Sequence, residues 1–214
     1  MTVAAIVVAG GRGIRFGGPK QFSPLGERSV AAYSVLAARS VAEVVVLVVP
    51  ADYRGTGEGA DLIVVGGVTR ADSVRSGLAS LPECDVVVVH DAARPLASTN
   101  LFREVVAAVN SGVDGAIPGL PVTDTVKRTT VRDGRVVVEE TLIRDQLVAV
   151  QTPQAFRRDV LVRAHASHDE ATDDAALVEL VGGTVVIVTG DIHNVKITEP
   201  SDLARVAAAL GANE

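Results

Sequence analysis

Glycines and basic side chains occur together near the beginning of the chain. Residues 9–20 read Ala-Gly-Gly-Arg-Gly-Ile-Arg-Phe-Gly-Gly-Pro-Lys and follow directly on an apolar run. Glycines allow backbone N–H groups to approach a phosphate closely, while Arg15 and Lys20 supply positive charge. The segment lacks the Gly-Lys-Ser/Thr of a P-loop and the third glycine of a dinucleotide-binding loop. We therefore predict a phosphate-binding loop of another type, with a plain strand-to-helix turn as the alternative.

An acidic residue follows a second apolar run. Asp91 comes directly after residues 86–90, which we predict to form a strand, and Arg94 lies close behind it. A carboxylate at this point could hold Mg²⁺, which proteins often bind through one or two carboxylates together with substrate phosphates. The structural alternative is that Asp91 pairs with Arg94 or caps a helix.

Other polar residues give weaker signals. Residues 123–125 and 151–154 carry hydroxyl and amide groups that could bind a polyol, although each segment also fits an ordinary turn. Lys196 alternates with β-branched neighbours, a pattern typical of a short strand whose lysine faces solvent. His165 and His168 have the spacing of a metal site but no partner cluster, and we expect them to be an exposed pair at a helix end.

Short apolar runs alternate with segments of helical periodicity along the chain. The runs that predict strands are residues 3–9, 43–50, 61–65, 85–90, 115–118, 148–151 and 184–189. Helical spacing occurs in residues 30–39, 70–81, 100–109, 160–168, 172–181 and 200–210. This alternation predicts a single α/β domain, residues 1–214, with a mostly parallel sheet covered by helices on both faces. Ligands of such sheets bind beyond the carboxyl ends of the strands.

Residues 121–145 depart from this alternation. They contain two polar, β-rich arms on either side of Asp133-Gly134, a dipeptide typical of a tight hairpin turn. A two-stranded hairpin is marginally stable by itself in water. We therefore expect this arm to pack against something else, such as a second subunit.

Composition limits the classes of function. The chain has 20 Lys+Arg and 26 Asp+Glu, a net charge of −6 with no long run of either sign, which argues against a nucleic-acid or membrane surface. Aromatic residues make up 3%, too few for a base-stacking platform, and one cysteine excludes an internal disulfide or cysteine-cluster metal site. No apolar run approaches the ~20 residues of a membrane span. We expect a soluble, cytoplasmic protein.

A series of short motifs follows in order along the chain. The motifs are Ala-Gly-Gly-x-Gly-x-Arg at 9–15, Pro-Lys-Gln-Phe at 19–22, Gly-Gly at 66–67 with Arg-Ala-Asp-Ser-Val at 70–74, His-Asp-Ala-Ala-Arg-Pro at 90–95, Asp-Thr-Val-Lys at 124–127, Gln-Thr-Pro-Gln-Ala-Phe at 151–156, Thr-Asp-Asp-Ala at 172–175 and Asn-Val-Lys-Ile-Thr at 194–198. This series resembles the 2-C-methyl-D-erythritol 4-phosphate cytidylyltransferase family of the non-mevalonate isoprenoid pathway. The resemblance implies a Rossmann-like nucleotidyltransferase fold and a homodimer joined through the 121–145 arm. It also implies that CTP and a sugar-alcohol phosphate, methylerythritol phosphate, are joined with release of pyrophosphate, and that Mg²⁺ is the cofactor.

The resemblance further implies roles for individual residues. Arg15 and Lys20 match catalytic residues at the α-phosphate, and Arg144 and Lys196 match those that position the sugar phosphate, with Arg144 supplied by the neighbouring subunit. The nucleotide-contacting positions are matched by Ala9, Gly10, Gly11, Gly13, Gly67, Ser73, Asp91 and Ala92. Asp91 also matches the acid near the metal. The polar lining on the substrate side is matched by Arg94, Thr125, Thr152 and Thr172.

Three other functions compete with this one. Gly10-Gly11 also occurs in ribitol-5-phosphate and other sugar-phosphate nucleotidyltransferases, so a cytidylyltransferase of that kind is the nearest alternative. The chain departs from the methylerythritol family in its shorter glycine loop and in Val68, where an acid is often found. An NAD-dependent oxidoreductase is disfavoured by the absent third glycine and ribose-binding acid. A nucleotide-binding regulator without activity would keep the loop but would need no set of cations.

Overall fold

Strands and helices alternate along the chain in the computed structural model, which describes residues 1–166 and 171–211. The strands are β1 (Val3–Val8), β2 (Pro24–Leu25), β3 (Arg28–Ser29), β4 (Val44–Val49), β5 (Leu62–Val65), β6 (Val86–Asp91), β7 (Gly115–Pro121), β8 (Lys127–Arg132), β9 (Arg135–Thr141), β10 (Val148–Val150), β11 (Gln154–Arg157) and β12 (Val185–Thr189). The helices are α1 (Val30–Ala38), α2 (Arg70–Ser80), α3 (Thr99–Asn110), α4 (Arg158–His165), α5 (Asp174–Leu180) and α6 (Pro200–Gly211). The strands predicted from the seven apolar runs and the six predicted helices are present, whereas the short strand expected around Lys196 is absent, and β2, β3 and β11 were not predicted.

The central sheet is mixed but mostly parallel. Strands β5, β4, β1 and β6 lie side by side and parallel, and β12 lies parallel to β7 at the other edge. Between β6 and β7, β11 runs antiparallel to both, and β10 pairs with the end of β7. The hairpin arm leaves the sheet at the end of β7, and the chain returns to the sheet at that same end. Residues 148–157 therefore run antiparallel to β7. The predicted Rossmann-like α/β fold is confirmed.

Successive residues of the buried strands face two separate cores. In β1, Ala5 and Val7 pack in the core that includes residues of α1 and α3, whereas Ala4 and Ile6 pack in the core that includes residues of α2, α4 and α5. Strands buried on both faces need continuous β-branched and aliphatic sequence, which explains the unbroken apolar runs. Helices therefore cover both faces of the sheet, as predicted. Within the described ranges, no helix has the length and apolar character needed to cross a membrane.

Helix α2 begins at a fixed point beside the carboxyl edge of the sheet. The Thr69 hydroxyl accepts a hydrogen bond from the Asp72 N–H, and the Asp72 carboxylate accepts one from the Thr69 N–H. This reciprocal capping box satisfies two N–H groups that would otherwise lack partners at the helix start. As a result, Arg70, the first residue of the helix, has a defined position.

The predicted hairpin arm is present. Strands β8 and β9 pair around Asp133 and Gly134, which have φ of 50° and 73°, as a tight hairpin turn requires. Val131 and Val136 are cross-strand partners, and each is at least 70% exposed. The arm therefore presents an apolar patch to solvent in the single chain.

Candidate active site

A tight turn at Gly13 shapes the loop after β1. Gly13 has φ of 61°, and its carbonyl oxygen accepts hydrogen bonds from the N–H groups of Phe16, Gly17 and Gly18 at 2.9–3.2 Å. A Cβ atom on residue 13 would lie 1.8 Å from the Gly18 carbonyl oxygen, so only glycine fits there. Beside the turn is an open pocket of about 220 Å³ lined by Arg12, Gly13, Ile14, Arg15 and Lys20.

Gln21 holds the other side of this loop. Its buried Nε2 donates to the carbonyl oxygens of Ala9 at 2.6 Å and Gly11 at 2.9 Å. In the described part of the chain, nothing accepts a hydrogen bond from the N–H groups of Gly10 and Gly11. Backbone donors without partners, in a loop whose carbonyl groups are held elsewhere, form a ready site for a phosphate. Gln21 was not among the predicted site residues, although it lies within the Pro-Lys-Gln-Phe motif.

Basic side chains converge on this loop from distant parts of the chain. Burial, and then repulsion by the nearby Lys196 and Arg15 charges, lowers the pKa of Lys20 below its ordinary value. Lys196 Nζ lies 2.6 Å from Asp91 Oδ2. The structure thus places Arg15, Lys20, Asp91 and Lys196 near one another. The short strand expected around Lys196 is absent from residues 190–198, while the lysine side chain is 44% exposed and uses its Nζ to pair with Asp91.

The Asp91 carboxylate is enclosed by cations on both of its oxygens. Oδ2 contacts Lys196, and Oδ1 lies 3.4 Å from Arg70 Nε. Burial alone would raise the pKa of Asp91, but the charges of Arg70 and Lys196 outweigh burial and hold the pKa below its ordinary value. Asp91 is therefore ionised at neutral pH and available as an anion at the carboxyl end of β6.

Arg70 is a site residue that sequence reasoning missed. Its Nη1 lies 2.7 Å from Asp174 Oδ2, on α5, while its Nε faces Asp91. Asp174 Oδ1 in turn accepts a hydrogen bond from His165 Nε2 at 3.1 Å. The prediction of an exposed His165 was wrong, because the last turn of α4 packs against α5 and buries the ring. The other member of that pair, His168, lies outside the described residues.

Thr152 holds the loop that carries Asp91. Its hydroxyl oxygen accepts a hydrogen bond from the Asp91 N–H at 3.0 Å and lies 3.0 Å from His90 Nδ1. His90 Nε2 lies 3.2 Å from the Arg94 carbonyl oxygen, which can only accept, so His90 carries its proton on Nε2 and Thr152 donates to Nδ1. Complete burial lowers the pKa of His90 to about 4, and the ring is neutral at pH 7. The Thr152 hydroxyl thus forms hydrogen bonds within the protein, to Asp91 and His90. Its contact with the substrate stays a prediction.

Replacing Thr152 with valine is expected to lower the free energy of unfolding by about 2 kcal/mol, because the buried Asp91 N–H and His90 Nδ1 would lose their partner. Threonine and valine have nearly the same shape, so packing is conserved. The measurement is urea denaturation at pH 7. Thr152→Ser, which keeps the hydroxyl and loses one methyl group, should lose about 1 kcal/mol. Equal stability of Thr152→Val and the wild-type protein would contradict this hydrogen-bond chain.

The predicted nucleotide positions lie at this same edge. Ser73 is buried at the start of α2, and a Cβ on Gly10 would lie 3.2 Å from its Oγ. A Cβ on Gly67 would lie 2.2 Å from the Asp72 Cβ, so the chain passes close to the helix there. Ala92 is buried, with its N–H bonded to the Val8 carbonyl oxygen. These residues fix close backbone packing around the loop, and their contacts with a nucleotide remain predictions.

The predicted substrate-side residues are more scattered. Arg94 Nη1 donates to the Asn194 carbonyl oxygen at 2.7 Å and so joins the loop after β6 to the loop that carries Lys196. Thr125 and Thr172 are exposed. Arg144 donates to the Thr123 carbonyl oxygen at 2.7 Å, at the base of the arm. Among the residues that the structure describes, no ion pair joins Arg144 to Asp91.

Asp91 suits a Mg²⁺ ion that also binds substrate phosphates. Across residues 1–166 and 171–211, no group of three or more His, Cys, Asp or Glu side chains could hold a metal ion by itself. Mg²⁺, however, commonly takes one or two carboxylates and completes its shell with phosphate oxygens and water. Asp91 is ionised and lies beside the glycine loop, but its Oδ2 is occupied by Lys196. Coordination by that oxygen would therefore require Lys196 to move away.

Comparisons with known proteins match one family over nearly the whole chain. The family model described as "IspD: 2-C-methyl-D-erythritol 4-phosphate cytidylyltransferase" matches residues 3–212. A protein of that name from Frankia casuarinae is 45% identical over 97% of this chain and 81% of its own length. The crystal structure of the cytidylyltransferase from Thermus thermophilus superposes with a TM-score of 0.82 at 33% identity, covering 99% of this chain and 100% of that one.

Some relatives are longer proteins. The "Bifunctional enzyme IspD/IspF" of Anaeromyxobacter sp. is 47% identical over 98% of this chain, and the matched part is 58% of that protein. The chain spans a little over half the length of the bifunctional relatives that match 98% of it. The family match extends over nearly every residue, and the fold agrees with solved structures of the same name. The chain therefore belongs to the IspD family of 2-C-methyl-D-erythritol 4-phosphate cytidylyltransferases.

Proposed function

We propose that this chain joins CTP and 2-C-methyl-D-erythritol 4-phosphate to give 4-diphosphocytidyl-2-C-methylerythritol and pyrophosphate. The observation that carries the proposal is the convergence of Lys20, Lys196 and Arg15 on a glycine loop with unused N–H donors, beside the ionised Asp91. Such a site is suited to two anionic ligands. Family membership indicates which two anions these are.

The reaction needs positive charge and positioning more than it needs a base. An oxygen of the sugar phosphate forms a bond to the α-phosphorus of CTP. The bond from that phosphorus to the oxygen bridging to the β-phosphate breaks, and pyrophosphate leaves with the electron pair. The attacking phosphate is already anionic near pH 7, and each pair of like charges about 4 Å apart costs about 4 kcal/mol at an effective dielectric of ~20. Lys20 and Arg15 offset this repulsion at the α-phosphate.

Lys196 and Asp91 have separate roles in the proposed reaction, one toward the sugar phosphate and the other toward the metal ion. Lys196 binds the incoming sugar phosphate once it leaves the Asp91 carboxylate, with which it pairs in this structure. We propose Mg²⁺ as the cofactor, held by Asp91 and the nucleotide phosphates; when bound, it neutralises phosphate charge and polarises the α-phosphate. Gly10, Gly11 and Gly13 bring backbone donors close to the triphosphate. Few aromatic side chains are available, so the cytosine is recognised mainly by backbone groups and small residues.

Pyrophosphate release tests the proposed activity directly. The protein is incubated with CTP, Mg²⁺ and either methylerythritol phosphate or ribitol 5-phosphate. We expect pyrophosphate release in the reaction with methylerythritol phosphate and none in the reaction with ribitol 5-phosphate. Release only with ribitol 5-phosphate would establish the alternative, a ribitol-phosphate cytidylyltransferase. Tight NADH binding without CTP binding would contradict both.

We also propose a homodimer in which the arm of one subunit completes the site of the other. The support is the exposed apolar patch on the arm, which includes Val131 and Val136, together with the position of Arg144 at the arm's base. Exposed apolar patches on protruding segments commonly mark contacts between proteins. A second copy of this chain is the partner that could carry Arg144 to a site containing Lys20 and Lys196.

Mixing two inactive variants tests this arrangement. Arg144→Ala and Lys20→Ala subunits, unfolded and refolded together, should recover about a quarter of wild-type activity, because half of the dimers are mixed and each has one complete site. The measurement is pyrophosphate release compared with that of each variant refolded alone. No recovery in mixed dimers, or a fully active monomer by light scattering, would contradict a shared site.

A further inference from the structure

A line of side chains runs from Asp91 through Arg70 to two buried residues, Asp174 and His165. Asp91 contacts Arg70, Arg70 contacts Asp174, and Asp174 accepts a hydrogen bond from His165. Asp174 and His165 have side-chain exposures of 1% and 2%. Both side chains are therefore closed to solvent, and the proposed reaction gives them no role.

The hydrogen bonding of this line fixes the orientation of one guanidinium group. Asp174 uses one oxygen for His165 and the other for Arg70 Nη1, so its carboxylate cannot turn without losing a buried partner. With Nη1 held at 2.7 Å, the planar guanidinium presents its Nε toward Asp91. Asp173 caps the start of α5 and accepts a hydrogen bond from Gln154, which fixes the backbone of Asp174 as well.

We propose that His165 and Asp174 are positioning residues that, through Arg70, keep the Asp91 carboxylate in place when Lys196 leaves it. This inference rests on the proposed function, in which Lys196 transfers to the sugar phosphate and Asp91 remains with the nucleotide and metal. Arg70 is then the remaining side-chain cation in contact with Asp91 among the described residues. Groups that orient a metal-binding carboxylate from behind typically change metal affinity or activity 10- to 100-fold when removed.

The test separates positioning from simple loss of stability. His165→Leu removes the donor to Asp174, whereas His165→Gln places an amide N–H near the position of Nε2. Asp174→Asn removes the charge that holds Arg70. Asp159→Asn on the same helix as His165, which affects the exposed Arg157–Asp159 pair, is the matched control. Thermal unfolding identifies the temperature at which all four variants are folded, and the measurements are made below it.

Two quantities are compared, kcat with saturating substrates and the Mn²⁺ concentration needed for half-maximal binding of the non-reactive analogue α,β-methylene-CTP. In His165→Leu and Asp174→Asn we expect kcat to fall 10- to 100-fold and the Mn²⁺ requirement to rise about tenfold. His165→Gln should stay within about threefold of the wild-type protein for both quantities, because it keeps the donor. Asp159→Asn should match the wild-type protein.

The outcomes distinguish this inference from the proposed function. If the wild-type protein binds the analogue and folded His165→Leu and Asp174→Asn show an unchanged Mn²⁺ requirement, the positioning role is wrong while the cytidylyltransferase proposal stands. If the wild-type protein binds no CTP analogue at any Mn²⁺ concentration, the proposed function fails, and this inference fails with it.

Discussion

Replacing Lys20 with alanine is expected to lower kcat about 10³-fold while the fold is retained. Lys20 lies in the pocket beside the glycine turn, among the charges of Arg15 and Lys196. Charge builds up at the α-phosphate as the substrate phosphate attacks, and removing one preorganised cation or donor from such a centre typically costs 10²- to 10³-fold or more. The measurement is steady-state pyrophosphate release, with circular dichroism to show that the variant is folded.

The pH dependence of Lys20 provides a second measurement on the same residue. Because burial and neighbouring cations lower the pKa of Lys20, its ammonium group loses its proton at a lower pH than an ordinary lysine. Activity should therefore fall as the pH rises through this lowered pKa. Lys20→Arg keeps the charge and does not titrate in this range, so its residual activity should persist to higher pH.

Arg39→Ala is the control for these variants. Arg39 forms an exposed ion pair with Asp61 just before β5, at the amino ends of the parallel strands, whereas the glycine loop lies at their carboxyl ends. Its replacement should leave kcat unchanged and alter stability by less than about 1 kcal/mol. Near-normal turnover by Lys20→Ala would refute the role assigned to Lys20.

The fold and the edge of the sheet that carries the site could be predicted from sequence. Strands such as β1 and β6 are buried on both faces, so they appear as continuous apolar runs, and the residues after them are placed by the strands themselves. For this reason the apolar runs alone predict the positions of the glycine loop and Asp91 correctly. Strand β11 was not predicted. Its pairing with β6 and β7 depends on where the chain returns after the hairpin arm, and the local composition of residues 154–157 does not indicate that position.

The missed site residues depend on contacts between distant parts of the chain. Arg70 and Asp174 are 104 positions apart, and neither has a local motif that points to the other. The signal that could have found Arg70 is its place directly after the capping residue Thr69, at a helix start beyond a predicted strand. For Lys196, period-two alternation was misleading, because a loop held by Gln151 and Arg94 replaces the expected strand.

Replacing Asp91 with asparagine is expected to lower kcat by about 10²- to 10³-fold and to raise the Mg²⁺ concentration needed for activity. Asparagine has nearly the same shape, but it offers a neutral amide to a metal ion and leaves Lys196 and Arg70 without their shared anion. The measurement is pyrophosphate release over a series of Mg²⁺ concentrations at saturating CTP. Asp61→Asn, which affects the distant Arg39 pair, should show wild-type Mg²⁺ dependence.

The stability of this variant has a predictable dependence on pH. The pKa of Asp91 is held below its ordinary value in the folded protein, so its ionised form stabilises the fold above the unfolded pKa of about 4. Asp91→Asn should therefore be less stable than the wild-type protein at pH 7, by about 2 kcal/mol. The difference should begin to shrink as the pH falls below about 4, because the unfolded chain then binds a proton that the folded protein still excludes, and it should be lost fully only below the lowered pKa of the folded protein. Urea denaturation at pH 7 and pH 3 measures both values.

A double-mutant cycle separates the two tasks assigned to Asp91. If Asp91 serves only to hold Lys196, then Lys196→Ala and Asp91→Asn remove one and the same function, and the double variant should be no slower than the slower single variant. We expect the double variant to be slower than either, because Asp91 also carries the metal and Lys196 also binds the sugar phosphate. Equal rates for the double variant and Lys196→Ala would restrict Asp91 to positioning the lysine and would assign the metal to the nucleotide phosphates alone.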